Sequence, residues 1–551
     1  MTDWYATHRE TLESALDAID TRTFWSAYPE HPKAYGEDAA ANGKAAFEAR
    51  LGMPFVLDQP AGGQLEVAEA SPYGIDLGIT YPHSSVESLI DAASDAMPAW
   101  AKASPQTRAG VLLEILSRLS EQSFEMASAV MHTTGQSFLM AFQAGGPHAL
   151  DRGLEAVAYA YREQTRLPGP LTWEKPQGRR DPLVIDKRWI VRPRGLAVTV
   201  GVSTFPTWNG YPGVFASLAT GNAVIVKPHP TTILPLAMLV EAARGVFAEA
   251  GFDPNLIMLA TDTPDASITK DLVMNPAVAI VDYTGGSLFG DWLEENATHA
   301  EVYTEKAGVN SVILDSASDL KPVFQNLSVS MTMYSGQMCT TPQNLFVPRD
   351  GVQVGDEVVS FDDVAAGFAA AIAVLLGDDA TASALLGAIK AEATLERIDD
   401  AGRSGKVLLE SREVRNEEYP GATVRTPVIV AVDASDEDTY MREMFGPVIY
   451  VVATDSTSQS IDLAATSAIR SGAITWGVYT TSDAVVDAAV DAAVDAGVSV
   501  AFNLTGGLYV NQSAAFSDFH VTGANPAGNA SLTDAAFVAN RFTVVGVRHQ
   551  V

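Results

Sequence analysis

The first strongly periodic stretch of the chain runs from Val86 to Leu119. There Leu89, Ile90 and Ala93, then Val111, Leu112, Ile115, Leu116 and Leu119, recur at three- and four-residue steps. Such a step puts the apolar side chains on one face of a helix, and Ser104-Pro105 divides the stretch into two helices. Downstream the apolar runs become short and rich in β-branched residues. Leu183 to Arg194 alternates between turn signals and predicts strands, while Leu196 to Val202 and Ala223 to Val226 predict short strands buried on both faces. A helix over Pro235 to Ala250, a strand over Leu256 to Ala260, a short helix over Ile268 to Met274 and a strand over Val278 to Asp282 follow. This alternation predicts a parallel, doubly wound α/β sheet.

After about Tyr303 the alternation restarts, with a strand over Ser311 to Leu314, a helix near Val323 to Tyr334, a strand over Leu345 to Val347 and a helix over Phe361 to Leu376. A second α/β domain accounts for it most simply. The segment 1–70 mixes Trp4, Trp25, Tyr28 and several prolines with acidic groups and shows only weak helical periodicity, so it is read as an N-terminal extension. The expected division is 1–70 extension, 71–303 first domain interrupted by strands at about 167–194, 304–510 second domain and 511–551 a C-terminal oligomerisation segment. Asp483, Asp487, Asp491 and Asp495 recur every fourth residue and predict the solvated face of one helix.

At 551 residues with 47% hydrophobic and 19% charged positions, the chain can bury large cores and is not a disordered one. A net charge of -32 argues against nucleic acid or an anionic membrane as partner. The longest uncharged stretch, Gly195 to Val226, is broken by Pro206, Asn209 and Pro212, unlike a membrane span. No basic then apolar leader opens the chain, so a soluble, cytoplasmic protein is expected. The single cysteine, Cys339, excludes an internal disulfide and any cysteine-rich metal site, and no metal is expected.

That thiol lies in Tyr334-Ser335-Gly336-Gln337-Met338-Cys339-Thr340-Thr341, a small-residue segment after an apolar helix. Glu305, upstream in Thr304-Glu305-Lys306, could take a proton from a thiol or a water. Either residue alone is uninformative: a lone cysteine is more often inert, and a lone loop glutamate is usually solvated. Their pairing carries the signal. With Glu443-Met444-Phe445-Gly446-Pro447 and Gly221-Asn222-Ala223-Val224-Ile225-Val226-Lys227-Pro228, the pair forms four ordered motifs. On these the chain resembles the aldehyde dehydrogenase superfamily over roughly Ser71 to Thr522. Thr284-Gly285-Gly286-Ser287-Leu288-Phe289-Gly290 is similar to its turn before the helix that faces the cofactor pyrophosphate. The long N-terminal extension and the run from Gln337 to Asn344 are similar to the PaaN-type aldehyde dehydrogenases of phenylacetic acid degradation.

The resemblance implies an aldehyde dehydrogenase-like α/β fold of two doubly wound domains with a small β oligomerisation element, and a homodimer or homotetramer. It implies that the Cys339 thiolate attacks an aldehyde, that a nicotinamide cofactor accepts hydride, and that Glu305 activates water to hydrolyse the thioester. Gly285, Gly286, Ser287 and Gly290 would face the pyrophosphate, Glu443 would hold the nicotinamide-side ribose and Phe445 would pack on the cofactor. Asn503 and Phe516 would line the substrate tunnel.

Two positions depart from the family pattern. The oxyanion-holding Asn is replaced by Thr204, so the donor is Thr204 Oγ, Asn209 or the Cys339 backbone amide, with Thr204 favoured. The family's ribose-binding Glu is replaced by Pro230, which, with Lys227 and His229 as nearby positive groups, leans toward NADP over NAD. The expected substrate is a CoA-linked semialdehyde from phenylacetate ring cleavage. The rivals are a CoA-acylating enzyme, which retention of Glu305 disfavours, and a non-catalytic homologue.

Overall fold

The structure is a computed structural model that describes residues 3–306 and 308–551. Five parallel strands form the first sheet, in the spatial order Ile257–Leu259, Val224–Lys227, Leu196–Val200, Val278–Gly285, Glu301–Lys306. Leu196–Val200 and Val224–Lys227 are buried at every position. Helices cover both faces, which is why these strands read as continuous apolar runs rather than as alternation. The second sheet has seven strands in the order Lys406–Leu409, Val428–Asp433, Val448–Thr454, Pro342–Pro348, Asn310–Leu314, Thr475–Tyr479, Ser499–Phe502. Only its edge strand Lys406–Leu409 runs antiparallel.

Boundaries fall close to expectation: helices Val86–Lys102 and Pro105–Glu121 break at Ser104, and helix Leu320–Thr332 precedes the cysteine. The acidic helix Asp483–Ala496 exposes all four of its regularly spaced aspartates. Among the described residues no single helix is long and apolar enough to cross a membrane.

A third, antiparallel sheet stands apart, with Arg180–Pro193 between Leu171–Gln177 and Phe542–Gln550. Where several strands were expected near Leu183 to Arg194, there is one 14-residue strand. The C-terminal segment divides likewise. Phe542–Gln550 joins this sheet, but 511–541 turns back into the body of the protein, where Arg541 forms a buried ion pair with Asp282.

The N-terminal segment 1–70 is more ordered over its described residues than its weak periodicity suggested. Helix Trp4–Thr21 buries Leu12, Ala15, Ala18 and Ile19 and packs on Pro105–Glu121. A Cβ on Gly110 would run into the backbone nitrogen of Tyr5, so the two helices approach backbone to backbone. Each fully buried aliphatic side chain contributes about 1.5 to 3 kcal/mol, which suffices to fix the extension on the first domain. Its end reaches further. Arg22 Nη1 donates to Phe516 O at 2.9 Å, its guanidinium lies 3.8 Å from the Phe519 ring centroid, and Trp25 meets Phe516 edge-on at 4.9 Å.

Candidate active site

Glu305 sits near the end of the edge strand Glu301–Lys306, paired on one side with Thr284. Its other side is covered by chain from the far C-terminal region: Lys306 N donates to Ala527 O at 2.6 Å and Thr304 N to Asn529 Oδ1 at 2.8 Å. The carboxylate is buried and triply engaged. Asn209 Nδ2 donates to Oε2 at 2.9 Å, His520 Nε2 lies 2.9 Å from Oε1, and the Cys339 thiol is its third partner. Burial by itself would raise this carboxyl. The charge and hydrogen bond of His520, with the thiol and the Asn209 amide, outweigh burial and hold it below the ordinary carboxylate value.

Cys339 is delivered by a tight reversal. Helix Leu320–Thr332 ends in Tyr334, Ser335 and Gly336, with φ of 51°, 54° and 66°. A Cβ on Gly336 would run into Gly446 O, so glycine there permits both the left-handed turn and contact with the Glu443-bearing segment. Gln343 stitches the same two segments: its Nε2 donates to Tyr440 O and Arg442 O, and its Oε1 accepts from Met444 N at 2.7 Å. Asn310 Nδ2 holds Cys339 O at 2.7 Å. Cys339 is half-buried as a residue. Burial first, then the Glu305 charge and hydrogen bond, push it well above its ordinary value, so sulfur carries its proton at rest.

The sulfur, the Glu305 carboxylate and the His520 ring nitrogen lie within 4.8 Å of one another. Sγ is 3.7 Å from His520 Nε2. The imidazole is fixed on all sides: Trp208 meets it edge-on at 4.6 Å, Nδ1 lies 3.3 Å from Ser513 Oγ, and His520 exchanges both backbone hydrogen bonds with Leu532. Ser513 Oγ in turn accepts from Arg152 Nη2 at 3.0 Å, and Arg152 pairs with Glu155 at 2.8 Å, both fully buried. A thiol, a carboxylate and an oriented imidazole therefore meet where the two α/β units adjoin, a set of groups capable of acyl transfer.

The aldehyde dehydrogenase family model matches residues 80–517. The chain belongs to the aldehyde dehydrogenase family. An NAD-dependent aldehyde dehydrogenase from Burkholderia multivorans, solved by crystallography, is 53% identical, with a TM-score of 0.98 over 100% of this chain and 99% of that one. Benzaldehyde dehydrogenase [NAD(+)] of Pseudomonas putida is 24% identical over 447 residues, 79% of this chain and 82% of the relative. 1-Pyrroline-5-carboxylate dehydrogenase 1 of Halalkalibacterium halodurans is 26% identical over 389 residues, 69% and 70% of the two chains.

In this aldehyde dehydrogenase the positions expected to face a cofactor divide. Glu443 is held in a pocket with Phe445, Gly336 and Met338, and burial pushes its carboxyl up to about 7. Among the described residues that carboxylate has no hydrogen-bond partner, which suits an acceptor waiting for ribose hydroxyls. Gly285 ends its strand, Gly286 caps helix Ser287–Asn296 without a side-chain hydrogen bond, and among the described residues nothing beyond its chain neighbours lies within 4 Å of a Cβ built there. The first-turn amides are thus left for an anion. A Cβ on Gly290 would meet the Lys306 chain at 2.6 Å, so this glycine serves helix packing. These residues fit a dinucleotide.

Lys227 and His229 do not supply the free positive charge expected of them. Lys227 is 1% exposed and paired with Asp262 at 2.6 Å. His229 is pushed down to about 4, by burial first and then by Lys390 and Lys227, and is neutral at pH 7.

On the substrate side, one N–H of the Asn209 amide is engaged by Glu305. Thr204 is half-buried, its carbonyl is held by Gln136 Nε2 at 2.7 Å, and its hydroxyl has no partner among the described residues. The neighbouring Phe205 packs edge-on against Tyr334 at 5.5 Å, which brings the Thr204 loop onto the cysteine loop. Asn503 has its whole amide occupied by Thr480, Nδ2 on O and Oδ1 on N, joining two strand ends. Phe516 is fully buried against Trp25, so its ring is part of the core and not of an open tunnel wall.

His520 was not foreseen. It is one of nine histidines, in a loop with no spacing relation to Cys339 or Glu305. A weaker clue was legible: Asp151, Arg152 and Glu155 put charge on the buried face of helix Pro147–Thr165.

Proposed function

We propose that the protein oxidises an aldehyde to its carboxylic acid through a thioester on Cys339, with Glu305 activating the hydrolytic water and NAD as acceptor. The observation that carries this reading is the meeting of thiol, carboxylate and imidazole within 4.8 Å beside the Glu443 pocket. Sulfur attacks the carbonyl carbon and yields a thiohemiacetal. The Thr204 hydroxyl, without a partner among the described residues, supports Thr204 as donor to the developing oxyanion, with the Cys339 backbone amide, which already faces its own sulfur, as the second. Gly286 and Ser287 would hold the pyrophosphate, Glu443 the ribose, and Phe445 one face of the ring. When bound, the nicotinamide supplies hydride acceptance. Glu305, ionised and adjacent to the sulfur, then takes a proton from water as it adds to the thioester.

NAD rather than NADP is inferred from charge. The lean toward NADP rested on Lys227 and His229 offsetting a 2′-phosphate, and the first is neutralised by Asp262 while the second is uncharged. For the substrate we propose the CoA-linked semialdehyde of phenylacetate ring cleavage, on the strength of the Gln337 to Asn344 run and the extension. The detached antiparallel sheet, with Leu183, Ile190, Val544 and Val545 exposed, supports a homodimer or homotetramer. Reduction of each nicotinamide is to be followed with straight-chain, aromatic and CoA-linked aldehydes, together with free CoA. Thiol consumption would overturn the hydrolytic reading. Failure with the CoA-linked aldehyde alongside rapid oxidation of simple ones would overturn the substrate reading.

A further inference from the structure

In the reaction described above Glu305 is the base for the hydrolytic water, and were it also to take the proton of the resting thiol it would enter the hydrolytic step already protonated. Burial and the Glu305 charge both hold that proton on sulfur. A second anion 4.8 Å or less from a buried carboxylate is costly unless a cation lies between them. Among the described residues, the group placed to become that cation is His520, whose Nε2 faces Glu305 Oε1 at 2.9 Å and Cys339 Sγ at 3.7 Å.

We propose that His520 is a third catalytic group, which accepts the Cys339 thiol proton and forms the thiolate–imidazolium pair that attacks the aldehyde. This rests on the thioester reading above. The S–H bond breaks and its electron pair stays on sulfur; an N–H bond forms at Nε2, while Nδ1 keeps its proton toward Ser513 Oγ. The imidazolium then donates to Glu305 Oε1 and faces the thiolate, so both anions share one cation. In that state the Nε2 proton lies on the 2.9 Å line to Glu305 Oε1 as a charge-assisted hydrogen bond. Glu305 thereby remains ionised through acylation and is available for water afterwards. When the thioester collapses, the imidazolium returns its proton to sulfur.

Every element around the ring contributes to this arrangement. Glu305 faces it from the edge strand, Cys339 from the cysteine loop, and Arg152 through Ser513 from helix Pro147–Thr165. Asp518, on the same loop, is engaged with Ala514 N, and Glu443 faces the sulfur from beyond. The Arg152 charge is offset by Glu155, so that side orients the ring while presenting little net charge to it. Trp208 prevents it from turning away.

The test is the pH profile of Cys339 alkylation by iodoacetamide, which needs neither aldehyde nor cofactor and so stands or falls apart from the proposed function. In the wild type, alkylation should persist on the acid side of an ordinary thiol titration, with a plateau through neutral pH. His520→Gln, which can still hydrogen-bond Glu305 but cannot take the proton, should lose the plateau and slow alkylation at pH 7 by about tenfold or more. In rapid-mixing turnover the same variant should slow the acylation burst by about 10² to 10⁴, with hydrolysis of the accumulated acyl-enzyme little changed. Ser513→Ala, which keeps the ring but removes its Nδ1 partner, should shift the profile the same way by a smaller amount. It decides the matter should His520→Gln lose its native thermal transition. A profile in either folded variant that superimposes on the wild type, or a loss confined to hydrolysis, overturns the proposal.

Discussion

Replacing Glu305 by Gln removes a charge at nearly constant volume and so separates chemistry from packing. The native carboxylate accepts from Asn209 at 2.9 Å and from His520 at 2.9 Å. Exchanging a charged acceptor for a neutral one weakens each bond by about 1 kcal/mol, and removing a buried charge offsets part of that loss. The fold should therefore lose little, about 1 kcal/mol. Turnover should lose far more, because a positioned general base contributes about 10² to 10⁴ in rate, equivalent to about 3 to 5 kcal/mol of barrier. The loss belongs to hydrolysis. In a stopped-flow experiment with saturating aldehyde and NAD, Glu305→Gln should give a rapid burst of one reduced nicotinamide per active site and then almost no steady state. The Glu305 charge also helps keep the thiol protonated, so alkylation of this variant at pH 7 should be faster than in the wild type. Steady-state turnover within tenfold of the wild type would refute the assignment of Glu305 as the base. Disappearance of the burst would show that Glu305 also takes the thiol proton, and the His520 proposal would fall with it.

Cys339→Ser should abolish the burst and turnover while leaving the thermal transition in place, since serine differs from cysteine by one atom; retained turnover in a purified sample would sink the thioester reading. Thr204→Ala should lower the burst rate by about 10² without changing NAD affinity, and an unchanged burst would leave the backbone amide as the sole oxyanion donor. Asp151, bonded to Ser26 Oγ and Ala27 N, is pushed up to about 7 by burial. Below the ordinary carboxylate value both folded and unfolded chains hold that proton; between about pH 4 and 7 only the folded chain does, so its stabilising contribution is lost as pH rises through 7. Asp151→Asn should flatten the fall in denaturant midpoint between pH 5 and 7.5, and a parallel fall in both proteins would refute the argument. Leu12→Ala should cost about 2 to 5 kcal/mol if the N-terminal helix folds with the first domain. A change as small as that of an ordinary surface substitution, below about 0.5 kcal/mol by chemical denaturation, would instead mark the extension as loosely attached.

Local pattern determined the elements, because helix and strand periodicities report which face of each segment is apolar, and burial of that face is decided within a few residues. The break at Ser104, the strands on either side of Pro206–Ala219 and the solvated aspartate face were all legible for that reason. The Cys339 and Glu305 pair was legible through motif order and spacing. What the periodicity of the segment 1–70 understated was a helix whose buried stripe mixes the small Ala15 and Ala18 with Trp4, Leu12 and Ile19, so its apolar signal is weak although its packing is close. Side-chain partners across the fold were not legible at all. Lys227 and His229 looked like free positive charge until Asp262 and burial removed it, and nothing in the sequence signals the Asn209 bond to Glu305. His520 reaches the site only because the segment 511–541 folds back along the edge strand that carries Glu305. A contact between residues 181 or 215 positions apart leaves no periodic trace, since it depends on where two chains of hydrogen bonds end and not on the residues between them.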